Sequence, residues 1–183
     1  KYSSTKEIYN QVMFSWSRMQ KEDSTTVKDT TVVLVYSPQG GVGKTTLALG
    51  ISSYFTRSVK KVLYINAERV NTFQYYLNND APIPNNLLPE LAREDKSLLP
   101  SIKHVIRNEG FDYLPPFGAA LSSLNLSYNV YYKIIQEAKI SKEYDVIVVD
   151  TDSTFDNQKA ALISAADKVI MVVDQTRKSV FSM

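Results

Sequence analysis

The sequence predicts a doubly wound α/β fold, with a mostly parallel sheet and helices on both faces, from three observations. Short β-branched apolar runs alternate with helical patterns from residue 30 onward. A glycine-rich turn, 37–46, directly follows the first of these runs, and a later run, 144–150, ends in a carboxylate. Alternating strands and helices are typical of parallel sheets, whose ligands bind at the carboxyl ends of the strands.

Composition is that of one ordinary domain, or of a domain with an attached piece. The chain has 183 residues, of which 44% are hydrophobic, enough for a sizeable core. Its net charge of +2, from 21 basic and 19 acidic residues, predicts no strong field for nucleic acid or membranes. The absence of cysteine excludes disulfides, thiolate chemistry and zinc–cysteine sites.

The first 29 residues are predicted to form a separate piece, ahead of a domain over 30–183. An amphipathic helix is expected over 4–20, because apolar residues recur there at spacings of three and four. Residues 21–29 are polar and aperiodic, as in a linker. In one interpretation the helix packs on the domain that follows. In the other it is the last helix of a missing upstream domain or a docking element, and both interpretations stay open.

The first predicted strand ends at Tyr36, and a helix is expected after the glycine-rich turn, over 44–57. Residues 61–66 form a short apolar run, which predicts a second buried strand. A short helix is expected around 71–79. The loop predicted after it is rich in asparagine and contains Pro82, Pro84 and Pro89.

In the second half of the chain, apolar residues at helical spacing predict a helix over 94–108. Residues 111–114 predict a strand that stops at two prolines. The run 144–150 predicts a strongly apolar strand. The remaining predicted elements are a helix over 126–140, a helix near 156–166 and a strand over 168–174. The pattern is still running at Met183, so we expect a domain truncated at its C-terminus.

The glycine-rich turn predicts a phosphate-binding loop. Glycines let backbone N–H groups crowd around phosphates, and the following helix presents its positive N-terminus to the anion. Lys44 is expected to reach the β- and γ-phosphates, and the Thr45 hydroxyl to ligate Mg²⁺. The residues predicted to bind the nucleotide are Gln39, Gly40, Gly41, Val42, Gly43, Lys44, Thr45 and Thr46.

One departure weakens the match to the pattern G-x-x-x-x-G-K-[ST], because Pro38 stands at its first glycine. The alternative is a glycine-rich turn that caps an ordinary strand–helix unit. The strand before the turn and the helix after it favour the phosphate-binding interpretation.

Three carboxylates lie at predicted strand ends. Asp150 is expected to hold Mg²⁺, since a carboxylate after an apolar strand is costly to bury unless it meets a cation. Glu68 either orients an attacking water or is a solvated loop acid. Asp152 is either functional or a turn or N-cap residue, and neither interpretation is preferred.

Together, the segments 37–46, 62–68 and 144–150 resemble the deviant Walker A ATPases of the ParA/MinD type. Within that group the chain looks most similar to the TadZ/CpaE proteins, which help position pilus machinery in bacteria. The resemblance implies a SIMIBI-like P-loop NTPase that binds ATP or ADP with Mg²⁺ and uses Lys44, Asp150 and Glu68 in catalysis. It also implies an ATP-dependent homodimer and protein partners in a polar or pilus machinery, whereas the near-neutral charge predicts no nucleic-acid partner. Nucleotide use favours the cytoplasm, with inner-membrane attachment through partners.

Two departures from the family pattern affect the expected activity. In this chain Gln39 stands at the position of the family's signature lysine, which reaches the partner's phosphates across a dimer. The cation that would stabilise the transition state is therefore missing, and hydrolysis is expected to be weak. The family has an Asp-x-Asp pair after the second strand, and this chain has Asn66 and Glu68 at those two positions. The family's adenine-recognition segment and membrane-binding helix would lie beyond Met183, so this fragment encodes no membrane association.

The leading hypothesis is therefore a slowly hydrolysing Mg-ATP switch. A scaffold that binds nucleotide without turnover is the first alternative, favoured by Gln39, Pro38 and Asn66. A bacterial tyrosine kinase of related fold is the second, prompted by the 12 tyrosines, although the chain ends without a tyrosine cluster.

Overall fold

The computed structural model describes residues 29–93 and 95–173. Within them lies a six-stranded sheet in the order β3-β4-β2-β5-β1-β6. Its strands are β1 Thr31–Tyr36, β2 Val62–Ala67, β3 Arg107–Asn108, β4 Asp112–Tyr113, β5 Val146–Thr151 and β6 Lys168–Met171. All neighbours pair in parallel except β3 and β4, which form an antiparallel edge. The predicted mostly parallel sheet is confirmed.

The helices of the described residues are α1 Lys44–Arg57, α2 Leu88–Leu91, α3 Leu99–Lys103, α4 Asn129–Ser141 and α5 Asn157–Ala165. Single 3₁₀ turns stand at Phe73–Tyr76, Asn85–Leu87 and Leu121–Leu124. The predicted helix over 4–20 and its linker to residue 28 lie outside the described residues, so the division at residue 29 stays a prediction. Of the helices described, none is both long enough and apolar enough to span a bilayer.

The helices cover both faces of the sheet, as predicted. On one face, Val33 and Val35 of β1 share a core with Ile51 and Phe55 of α1. On the other face, alternate residues of β1 and β5 share a larger core with α4, including Leu34, Val149 and Ile134. Since successive residues of a strand point to opposite faces, a strand covered on both sides must be apolar throughout. This explains why β1 and β5 read as unbroken apolar runs.

The predicted helix over 94–108 is wrong in extent. The helix α3 contains five residues, with Pro100 in its first turn, and Arg107–Asn108 is a strand. A proline deeper in a helix would remove a hydrogen bond and clash with the preceding turn, so the helix begins just before Pro100. Glu137 of α4 caps this start, because its Oε2 accepts from the backbone nitrogens of Leu98 and Leu99 at 2.8 and 2.7 Å.

Two smaller expectations are also corrected. The helix expected around 71–79 is a single 3₁₀ turn, Phe73–Tyr76. The loop expected around Pro82, Pro84 and Pro89 contains a short helix, α2, with Pro89 in its first turn. In both places prolines and asparagines limit regular structure to one turn.

The strand register brings three strand ends to one edge of the sheet. Asp150 of β5 pairs with Val35 of β1 on one side and with Asn66 of β2 on the other. Residues that follow β1, β2 and β5 therefore lie next to one another, as expected for ligand sites in parallel sheets.

Candidate functional site

The loop between β1 and α1 has the backbone that a phosphate-binding loop requires. Gly41 and Gly43 have φ of 74° and 88°, in the left-handed region that side chains with a Cβ rarely adopt. Gly43 is the N-cap of α1, and the first turn of α1 contains no acidic residue. The positive end of the α1 dipole therefore faces the loop without a competing carboxylate.

An open cleft of ≈ 390 Å³ lies over this loop. It brings together most of the residues predicted for nucleotide binding, and Glu68 with them. The lining residues are Gly40, Gly41, Gly43, Lys44, Thr45, Thr46, Glu68, Thr72, Tyr76, Asp152 and Ser153. Gln39 and Val42 belong to the loop but do not line the cleft, and Asp150 lies buried.

Lys44 is held across the loop. Its side chain is 7% exposed, and Nζ donates to the carbonyl oxygen of Gln39 at 3.0 Å. The backbone nitrogen of Gln39 in turn donates to the Ser37 hydroxyl at 3.0 Å. These contacts place an ammonium group at the same anion-binding surface as the loop amides.

Asp150 lies at the end of β5 and is fully buried. Its Oδ2 accepts from the Tyr64 hydroxyl at 3.2 Å and from Asn66 Nδ2 at 3.0 Å. Burial raises the pKa of Asp150 to about 6, although the nearby Thr45 hydroxyl favours the ionised form. Among the described residues no donor bonds Oδ1 with normal geometry. A buried carboxylate oxygen without a donor, beside a hydroxyl, is a place that suits a hard cation.

The donor set at this position fits magnesium. Mg²⁺ prefers oxygen ligands, keeps several waters, and is usually held by one or two carboxylates together with substrate phosphates. Thr45 supplies a hydroxyl in the cleft lining, and Asp150 supplies a buried carboxylate close to that hydroxyl. Elsewhere in the described part of the chain, no group of three or more histidine, cysteine or acidic side chains is placed to hold a metal.

Glu68 follows β2 directly and faces the cleft. Its Oε2 accepts from the Thr72 hydroxyl at 3.0 Å, and its carbonyl oxygen accepts from the Tyr131 hydroxyl at 3.2 Å. Asn71 stabilises the same loop, because its Nδ2 donates to Asn66 Oδ1 at 2.8 Å. The carboxylate of Glu68 is thus presented by an ordered loop. Its role in positioning water stays a prediction.

Asp152 lines the cleft and also forms ion pairs with two cations. Its Oδ2 is 3.1 Å from Arg69 Nη1, and its Oδ1 is 3.2 Å from the fully buried Lys159 Nζ. Burial works against ionisation, but Lys159 and the backbone N–H donors of Arg69 and Thr154 together outweigh it, so the pKa of Asp152 is lowered. The N-cap of α5 is Asp156 instead, whose Oδ1 accepts from the Lys159 backbone nitrogen at 2.8 Å.

Sequence reasoning missed several side chains of the site. Tyr64 could have been found, because it precedes Asn66 by two residues in a strand and so shares its face. Arg69 and Lys159 gave no local signal, since they meet only when the ends of β2 and β5 lie side by side. The same holds for Tyr76, which reaches the rim of the cleft from a 3₁₀ turn.

Comparison with known proteins places this geometry in a family. The model of the AAA domain family matches residues 30–181. No curated protein matches the sequence. Because the family model covers most of the chain, the match establishes membership.

Three solved structures show the same fold. The ParA family ATPase of Chlorobium tepidum TLS is 18% identical, with a TM-score of 0.66, and the match covers 85% of this chain and 65% of that protein. MinD of Pyrococcus horikoshii OT3, complexed with Mg-ADP, is 19% identical, with a TM-score of 0.66 and coverage of 84% and 62%. The MinC:MinD complex of Aquifex aeolicus gives 25% identity, a TM-score of 0.54 and coverage of 83% and 59%.

The chain thus spans between 59% and 65% of the length of these three proteins. The matched part contains the sheet, the phosphate-binding loop and the strand end with Asp150. The chain belongs to the AAA domain family and has the fold of the ParA and MinD ATPases.

Proposed function

We propose that this chain is a Mg-ATP-binding molecular switch that hydrolyses ATP slowly. The observation that supports this most strongly is the juxtaposition of a left-handed glycine loop, the buried Lys44 and the buried Asp150 at one cleft. Each feature has a structural cost, and a metal-bound polyphosphate in the cleft would offset the cost of all three. The MinD of Pyrococcus horikoshii, which shares the fold, is complexed with Mg-ADP.

In this proposal the loop amides between Gln39 and Thr46 bind the β- and γ-phosphates, and Lys44 neutralises part of their charge. Asp150 and the Thr45 hydroxyl hold Mg²⁺, which when bound offsets further phosphate charge and orients the phosphates. Tyr64 and Asn66 keep Asp150 in place through their bonds to Oδ2.

Glu68 is the group proposed to orient an attacking water, because it lines the cleft beside the loop. Gln39 supplies no positive charge where a cation would stabilise the transition state. Hydrolysis is therefore proposed to be slow, and the ATP-bound state long-lived. A switch of this kind changes the order of the loops around its phosphates when the γ-phosphate leaves.

The finer assignments are proposals as well. They are an ATP-dependent homodimer, a cytoplasmic location and a TadZ/CpaE-like role in positioning a surface apparatus such as Tad pili. The resemblance of the segments 37–46, 62–68 and 144–150 supports them, and a relative of the same fold, MinD of Aquifex aeolicus, is found in complex with MinC.

Calorimetry of ATP binding in the presence of Mg²⁺ tests the central proposal. Lys44→Ala should abolish binding, because it removes the ammonium group at the loop. The matched control is Lys103→Ala, which removes a surface lysine that pairs with Glu143 away from the cleft. Equal affinity in all three proteins would remove the proposal.

A non-hydrolysing scaffold is the second candidate, favoured by the neutral side chain of Gln39. Phosphate release over several hours at saturating Mg-ATP separates the two candidates. Release above that of a Lys44→Ala control supports the switch. Binding without any release supports the scaffold.

A further inference from the structure

Four charged side chains, Arg69, Asp152, Asp156 and Lys159, form an ion cluster beside the phosphate cleft. Arg69 Nη1 lies 3.1 Å from Asp152 Oδ2, and its Nη2 bonds to Asp156. The backbone nitrogen of Arg69 also donates to Asp152 Oδ2 at 3.1 Å. One arginine thus ties the loop after β2 to the loop after β5.

Lys159 enters the ion cluster from α5. Its side chain is 0% exposed, and Nζ lies 3.2 Å from Asp152 Oδ1. The ring of Tyr128 contacts both cations, with Arg69 Cζ at 4.5 Å and Lys159 Nζ at 5.1 Å from its centroid. A lysine with no exposure is stable as a cation only with a paired carboxylate, so Asp152 and Lys159 depend on each other.

The charges of the cleft explain what this cluster accomplishes. The charged residues that line the cleft are Lys44, Glu68 and Asp152, and Asp150 lies buried at the end of the adjoining strand. Without compensation, the two carboxylates of the lining, Glu68 and Asp152, would face one ammonium group. A polyphosphate entering such a cleft would meet repulsion, and in a partly buried site that repulsion is weakly screened.

We infer that Arg69 and Lys159 are charge-compensating residues, which cancel the Asp152 carboxylate in the cleft wall and so permit an oligophosphate to bind. This inference rests on the proposed function, since it concerns how the same cleft accepts ATP. The two cations act through Asp152, so they are positioning residues. Asp156 completes the balance, because with it the ion cluster contains two cations and two anions.

The inference makes the strength of the effect depend on the charge of the ligand. ATP carries one more phosphate group than ADP, so loss of a compensating cation should weaken ATP binding more than ADP binding. A role in folding alone would lower stability and leave the ratio of the two affinities unchanged. This ratio is therefore the measurement that separates the two roles.

Calorimetry with Mg-ATP and Mg-ADP on the full chain tests the inference. Arg69→Gln should weaken ATP binding about tenfold and ADP binding less, because Asp152 then presents an uncompensated charge to the cleft. Arg69→Lys keeps the charge and should stay near the original affinity. The double variant Arg69→Gln with Asp156→Asn should recover most of the loss, because the remaining Lys159 and Asp152 balance each other.

The matched control is Arg93→Gln. Arg93 pairs with Asp95 at 3.3 Å on the exposed surface, so the same change in net charge occurs outside the cleft. If Arg69→Gln and Arg93→Gln bind ATP equally, or if adding Asp156→Asn to Arg69→Gln restores nothing, the inference is overturned. An unchanged ratio of ATP to ADP affinity in Arg69→Gln overturns it as well.

Asp156→Asn provides a second route should Arg69→Gln not fold, as judged by circular dichroism, because asparagine is also a good N-cap and Lys159 keeps its paired carboxylate. This single variant leaves two cations against one anion, so it should bind ATP several-fold more tightly than the unmodified chain. Equal or weaker binding overturns the inference. An unmodified chain that binds no nucleotide removes the proposed function, whereas normal binding with no difference among variants removes the inference alone.

Discussion

Asn66 donates to the buried carboxylate of Asp150, with 3.0 Å between Nδ2 and Oδ2, across the neighbouring strands β2 and β5. The same oxygen accepts from Tyr64, so one carboxylate oxygen is bound by protein donors, whereas Oδ1 has no donor of normal geometry among the described residues. The arrangement fixes the direction in which Asp150 presents its remaining lone pairs. It also makes the ionisation of Asp150 sensitive to what occupies the cleft.

The first prediction concerns pH and stability. The pKa of Asp150 is about 6 in the fold against 3.8 for an ordinary carboxyl, so between these values the folded chain holds the proton that the unfolded chain has lost. Asp150 should therefore lower the free energy of unfolding by about 2 kcal/mol as pH rises from 4 to 6. Urea unfolding at pH 4, 5, 6 and 7 measures this, without nucleotide or Mg²⁺.

The control for that experiment is Asp150→Asn, which cannot ionise. The difference in stability between the two proteins should change with pH below 6 and become constant above 7. A difference that is flat from pH 4 to 7 would show that Asp150 has an ordinary pKa.

The second prediction concerns turnover. Gln39→Lys should increase the rate of phosphate release, because it adds a cation to the loop where the transition state develops negative charge. Gln158→Lys adds the same charge at an exposed position on α5 and should leave the rate unchanged. Steady-state phosphate release measures both. An equal rate in Gln39→Lys and the unmodified chain would mean that the missing charge does not limit hydrolysis.

The third prediction compares two glycines. Gly43 has φ of 88°, so Gly43→Ala should strain the loop, lower stability by about 1–2 kcal/mol and weaken ATP binding. Gly50 lies within α1, and a Cβ there would meet nothing within 4 Å, so Gly50→Ala should increase stability by about 1 kcal/mol. Urea unfolding of both variants decides the matter. Effects of the same sign would contradict the conformational argument.

The fourth prediction concerns the start of α3. Glu137→Ala removes the carboxylate that accepts from the backbone nitrogens of Leu98 and Leu99, and should cost about 1 kcal/mol of stability. Glu90→Ala is the comparison, because Glu90 lies exposed on α2. Hydrogen exchange of the Leu98 and Leu99 amides should accelerate only in Glu137→Ala. Unchanged exchange would mean that these amides are protected by another group.

Local pattern was sufficient where burial on both faces makes a strand apolar throughout. For this reason β1, β2 and β5 were predicted to within a few residues, and the phosphate-binding loop followed from its place between β1 and α1. Pattern failed where one proline or a distant cap decides, as in α3, whose start depends on Pro100 and on Glu137 of α4. The ion cluster could not be predicted, because Arg69 and Lys159 come together through the sheet order alone.

The sheet order also has a consequence for how the molecule assembles. The strand that supports the phosphate-binding loop lies between β5 and β6, and its first residue, Thr31, pairs with Val146. During synthesis this strand leaves the ribosome before β5 and β6, so it has neither neighbour until those later strands have followed. Nonlocal pairing of this kind slows folding. The nucleotide cradle therefore matures only after β5 and β6 have been made, although its own sequence precedes both.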